Sequence, residues 1–207
     1  MAASATALSG SQSRSNPPLI VPVHRVMDTA SACPPELVQR FWWRIWPEAF
    51  RDFRRCGIQL ETTDATGEVR RSAGDRPIFK GLRRGAINLV LTDHIPMYWD
   101  DGHAAPGVSA LYDGYHLCLI ALRFAHGHQF PFLSVNTCVH ELLHVLLQDI
   151  YMNRPKLRQA GQHEVSVDWH ATRMWLFHDG SAIRKSAEVY LNRLRSEAVG
   201  RRGATRS

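Results

Sequence analysis

"VNTCVHELLHVLLQD", Val135 to Asp149, sets two histidines four residues apart, with a glutamate directly after the first, inside an apolar run. On an α-helix positions i and i+4 share a face one turn apart, so His140 and His144 aim two imidazoles at one point. Two neutral ring nitrogens so placed suit a tetrahedral zinc ion, which takes nitrogen ligands at about 2.0 to 2.1 Å. Glu141 then stands beside the ion without ligating it, where its carboxylate can take a proton from a metal-bound water. Cys138 falls about 200° round the helix from His140 and points away. The apolar residues Leu143, Leu146, Leu147 and Ile150 anchor such a helix, and they fit a plain buried helix equally well. Three fixed positions do not separate these two readings, so the residues that discriminate must lie elsewhere.

A catalytic zinc takes three protein ligands and keeps one position open. Downstream, "HEVSVDWH" offers Glu164, 20 residues after His144, and Asp168 one helical turn beyond it on the same face. Glu164 completes a His, His, Glu set, and Asp168 is free to accept the remaining ring N–H of a ligand histidine, which fixes its tautomer. His163 and His170 are the alternatives to Glu164 as third ligand. His178, Tyr151 and Tyr115 are the candidate donors for charge developing on a carbonyl oxygen, and the sequence does not choose among them. "WDDGH" and "AHGHQ" read as turn chemistry rather than as a second metal site.

Outward from this core, residues 1–17 read as a disordered arm, 18–199 as one domain and 200–207 as a basic disordered tail. Leu19 to Met27 is a β-rich run whose Pro22 asks for an edge position. "PPELVQRFWWRIWPEAFRDFRRCG" has helical apolar spacing, starts at Pro35 and stops at Gly57, and Pro47 should kink or split it. Its tryptophans read as core. "IQLETTD" and "AINLVLTD" are two more strands, joined by a turn-rich basic connection. "HIPMYWDDGHAAPGVSALYDG" is too rich in Pro, Gly and Asp to be regular, and "YHLCLIALRF" (Tyr115 to Phe124) is a fourth strand. Two further helices follow, one carrying Glu164 and Asp168 and an amphipathic one from Ser181 to Val199. The expected class is α+β: a mixed four-stranded sheet with packed helices and the His-Glu-x-x-His helix in the core.

"HELLH" followed at this distance by "EVSVD" resembles the Glu-zincin metallopeptidases of the thermolysin type, which pair HExxH with ExxxD. The resemblance covers about 30 residues through these motifs and roughly 150 through the order of elements. It implies a zincin-like fold in which His140, His144 and Glu164 hold Zn2+, Glu141 is the general base and Asp168 supports His140. It also implies that the last strand before the site helix, Tyr115 to Phe124, is an antiparallel edge that binds a peptide or protein substrate. The chain departs from the family by having no room for the helical domain that supplies an oxyanion histidine there. The pattern HExxHxxGxxH does not fit, because Leu147 and Ile150 stand at its Gly and His positions, and Met174 then belongs to the core. A compact intracellular peptidase-like family that cleaves or binds repressors is similar in size.

The charge is +6, and much of the excess sits in "RDFRRC", "GLRRG" and "GRRGATRS". Dispersed basicity attracts nucleic acid but is no recognition motif by itself. Four cysteines without a CxxC pair read as reduced thiols, and no run approaches the roughly 20 apolar residues of a membrane span. The amino end lacks the features of a secretory signal, which favours a cytoplasmic protein. The expected function is zinc-dependent peptide hydrolysis. The alternatives are a non-catalytic zincin-like peptide-binding regulator, and a basic nucleic-acid-binding protein whose HExxH is accidental.

Overall fold

The computed structural model describes residues 16–30, 32–71, 77–93, 95, 107–122, 131–147 and 180–204. Six strands form one sheet: β1 (Leu19–Asp28), β2 (Ile58–Arg71), β3 (Pro77–Lys80), β4 (Ile87–Thr92), β5 (Gly107–Tyr112) and β6 (Tyr115–Ala121), in the order β3-β2-β1-β4-β6-β5. Strands β1, β2, β4 and β6 pair parallel, and antiparallel β3 and β5 close the two edges. Among the described residues three helical rods accompany it: α1 (Pro35–Arg40) running through a π-helical turn into α2 (Trp46–Arg55), then α3 (Pro131–Leu146) and α4 (Gly180–Ala204). The α+β class holds, with six strands in place of four.

Both extra strands are short and lie in stretches whose punctuation hides them. β3 is four residues long, bounded by Pro77 and by Gly81 at φ +80. β5 follows a Pro- and Gly-rich run, yet its exit carries a plain signal. Asp113 and Gly114 both adopt positive φ (46 and 74), which makes the two-residue type I′ turn that joins β5 to β6. A second correction concerns Pro22, because β1 lies inside the sheet between β2 and β4. Pro22 opposes Glu61 of β2, whereas pairing with β4 starts only at Val23, so the missing N–H falls where β1 has one neighbour.

Helical turns run without a break past Pro47, as α1, a π-turn and α2. Pro47 has no N–H to give the Trp43 carbonyl, and the chain widens into a π-turn over Phe41–Ile45, where the Trp46 N–H bonds to the Phe41 carbonyl five residues back. That turn sends Phe41, Ile45 and Trp46 into the core beside Ala49 and Phe53. Trp42 lies under the Arg25 guanidinium at 4.5 Å, and two 2.6 Å bonds hold that guanidinium to Asp64. The expectation of core tryptophans holds for Trp46 and fails for Trp43, which is 79% exposed. Gly57, at φ +70, ends the rod as expected.

Alternation divides the sheet into two faces. Val21, Val23, Leu89, Cys118 and Ile120 face the helices and build the main core, while Val26, Val90, Val108 and Leu119 form a second core on the far side. The far core is closed by the sheet itself. β2 leaves β1 at Gly67 to pair with β3, and Phe79 of β3 meets Tyr112 of the opposite edge strand edge-on at 4.9 Å. The sheet is therefore curled. Gly67 permits the crossing, because a Cβ there would stand 2.2 Å from the Lys80 carbonyl oxygen and 2.6 Å from Val26 Cγ1. Gly67→Ala is expected to lower stability by about 1–3 kcal/mol, the usual range for forced overpacking, read as a lower urea midpoint. An unchanged midpoint would mean that the crossing has slack.

On the helical face, α4 packs the Tyr190 ring edge-on against His116 of β6 at 5.0 Å. At its start Arg184 donates to the carbonyls of Gly57 and Pro17, tying α4 to the end of α2 and the entry to β1. The helix continues to Ala204, past the expected end at Val199. Among the described residues no helix is long and apolar enough to cross a membrane.

Candidate metal centre

From Thr137 to Leu146 helix α3 is buried nearly all round. Cys138, Val139, Leu142, Leu143, Val145 and Leu146 are all in the main core, which is how a helix with little polar surface must sit. His140 and Glu141 are drawn in with it, at 3% and 4% exposure, while His144 is half-buried at the margin. The i, i+4 spacing does what the sequence implies: Nε2 of His140 and Nε2 of His144 lie 2.9 Å apart, with the rings edge-on. Two ligands of a tetrahedral ion at 2.0–2.1 Å stand about 3.3 Å apart, so a few tenths of an ångström of opening would admit a cation between them. The donor set is right for zinc as far as two ligands go.

Glu141 is held from the sheet side. The Ser109 hydroxyl of edge strand β5 lies 2.7 Å from Glu141 Oε2 and 2.7 Å from the Glu141 carbonyl oxygen, sharing its one proton between two acceptors. Two residues earlier on the same face, Gly107 lies against the glutamate stem, where a Cβ would come within 2.6 Å of Cγ and 2.7 Å of Oε1. Cys118, the register partner of Ser109, and Cys138 complete the floor. Burial pushes both thiols well up, and the Glu141 carboxylate adds to the effect. Cys56 is raised to about 11 by burial and then by Asp52.

These surroundings make a reactivity prediction. Cys33 is half-buried, whereas Cys56, Cys118 and Cys138 are buried free thiols with raised pKa. A thiol reagent at neutral pH should modify Cys33 first, and Cys118 and Cys138 only on unfolding, as read by peptide mass spectrometry. Rapid modification of Cys118 in the native protein would show that the sheet beneath Glu141 opens readily.

Glu164, Asp168, His178 and Tyr151 lie outside the described residues, as do the alternative ligands His163 and His170. Tyr115 is described, and the structure does not bring it to the site. His116, Cys118 and Ile120 turn toward the helices, so Tyr115 turns to the far face, where the Arg84 guanidinium covers its ring at 4.5 Å. The strand that begins at Tyr115 is also not the edge. β6 lies between β4 and β5, and the antiparallel edge over the site helix is β5. Gly107 and Ser109 are the site residues that sequence reasoning missed. The Asp-Gly turn just after them was the available signal, since it marks Gly107–Tyr112 as a strand. Among the described residues no group of three or more His, Cys, Asp or Glu is placed to hold a metal ion. No protein family, no curated protein and no solved structure matches this chain.

Proposed function

We propose that this chain is a zinc-dependent metallopeptidase of zincin-like architecture, with His140, His144 and Glu164 as the residues that would hold Zn2+. One observation carries the reading: two imidazole nitrogens converge at 2.9 Å on a core helix whose Glu141, next in sequence to His140, is held by Ser109 of an antiparallel edge strand. Zinc, when bound, supplies a Lewis acid that polarises the scissile carbonyl and lowers the pKa of water.

The chain's own residues supply the rest. Glu141 takes a proton from the attacking water as its oxygen bonds to the carbonyl carbon, and delivers that proton to the amine nitrogen as the C–N bond breaks. Asp168 would orient a ligand imidazole through its second ring nitrogen. The substrate would lie extended along the outer edge of β5, adding main-chain hydrogen bonds as a further strand. On this reading the antiparallel edge that the zincin resemblance implies would be β5, one strand earlier than expected. The four free thiols support a reducing, cytoplasmic setting.

The test is metal content together with cleavage. Protein purified without chelator should hold close to one equivalent of zinc and cleave members of a peptide library, and chelation should stop cleavage until zinc is restored. Zinc without cleavage would leave a peptide-binding protein. Less than about half an equivalent of zinc would remove the metal reading, since a structural or catalytic site of this kind binds tightly.

A further inference from the structure

We infer that Ser109 is a positioning residue for Glu141, and that Gly107-x-Ser109 on edge strand β5 is a seat shaped for that side chain. The inference rests on the proposed hydrolytic reading for its consequence in rate, but its structural content stands on contacts within the described residues.

A glutamate on a helix has three side-chain torsions and loses substantial rotamer freedom when it is held in one conformation. Something must hold it. Here the stem passes over Gly107, where even a methyl group would stand 2.6 Å from Cγ, and the carboxyl ends on the Ser109 hydroxyl at 2.7 Å. Glycine and serine stand two residues apart, so both face α3. The same hydroxyl reaches the Glu141 main-chain carbonyl at 2.7 Å, so it fixes the strand to the helix backbone as well as to the side chain.

The type I′ turn at Asp113–Gly114 sets the register of this seat. A slip of one residue would turn Ser109 to the far face and present Val108 or Ala110 to the carboxyl. The residues that seat the general base therefore belong to the strand whose outer edge would receive the substrate. Placement of Glu141 and placement of the scissile bond share one frame.

The test compares Ser109→Ala, Ser109→Thr and Glu141→Ala, with the double variant Ser109→Ala/Glu141→Ala. In the zinc-loaded protein, Ser109→Ala should lower kcat by about 10-fold or more with KM within about twofold, the pattern of a misplaced group rather than lost binding. Ser109→Thr, which keeps the hydroxyl, should restore most of the rate. In urea unfolding, the midpoint shift caused by Ser109→Ala should shrink sharply when Glu141 is already alanine, because the two side chains act on each other. Wild-type kcat in Ser109→Ala, or an equal midpoint shift in both backgrounds, would overturn the inference. If zinc-loaded wild type cleaves no peptide while the coupling persists, the hydrolytic reading falls and the seating of Glu141 by Ser109 stands.

Discussion

Glu141→Gln is expected to retain zinc and lose peptide hydrolysis by about 100- to 10,000-fold in kcat, the range associated with removal of a general acid-base group. The substitution suits the site because an amide has the length of a carboxyl, so the stem still passes over Gly107 without a clash. Its carbonyl oxygen can still accept from Ser109, which keeps the buried end of the side chain satisfied. What the substitution removes is the basic oxygen that, in the proposed mechanism, takes a proton from water. The fold should therefore persist, with a cooperative unfolding transition near that of wild type, and zinc content should be unchanged because His140 and His144 are untouched. Metal analysis and kcat/KM on the same preparation decide the matter. Undiminished cleavage by Glu141→Gln would sink the mechanism, while loss of zinc would move Glu141 from base to ligand.

The parts of this architecture that could be read from sequence are those dictated by local periodicity. HELLH on an apolar run becomes a buried helix with its imidazoles converging, because i, i+4 geometry leaves little choice. The strands at Leu19, Ile58, Ile87 and Tyr115 are long enough, or apolar enough, to declare themselves. Strand order is another matter. Whether Tyr115–Ala121 is an edge depends on where Gly107–Tyr112 goes, and a six-residue strand behind a Pro- and Gly-rich run has almost no periodicity to reveal it. Once β5 is missed, Ser109 and Gly107 have no reason to be linked to Glu141, which is 32 residues from Ser109 in the chain. The exposure of Trp43 is hidden for a similar reason. Apolar spacing assumes 3.6 residues per turn, and the π-turn ahead of Pro47 changes the phase. Pro22 misleads because a proline rule written for edge strands applies equally to a stretch where an inner strand has one neighbour.

The second large effect is expected on metal content. Wild type should bind zinc near stoichiometrically, and His140→Ala and His144→Ala should each lose nearly all of it, since a four-coordinate site of three protein ligands does not survive the loss of one imidazole. The two variants are not equivalent as tests. His140 is 3% exposed, so its truncation also opens a cavity in the main core and lowers stability. His144 is half-buried at the margin, and its truncation should remove zinc from a protein that remains folded by circular dichroism. Agreement between the two therefore assigns the loss to coordination rather than to collapse. Glu164→Ala should behave like His144→Ala, whereas Asp168→Ala should weaken zinc affinity by about 10- to 100-fold and leave the stoichiometry intact at high metal. That graded pair separates a ligand from a group that orients one. If Glu164→Ala keeps full zinc, the third ligand belongs to a neighbour in the same stretch, and His163→Ala and His170→Ala become the deciding variants. Should all of these retain zinc while His144→Ala loses it, the pair on α3 is half of a site completed elsewhere in the chain.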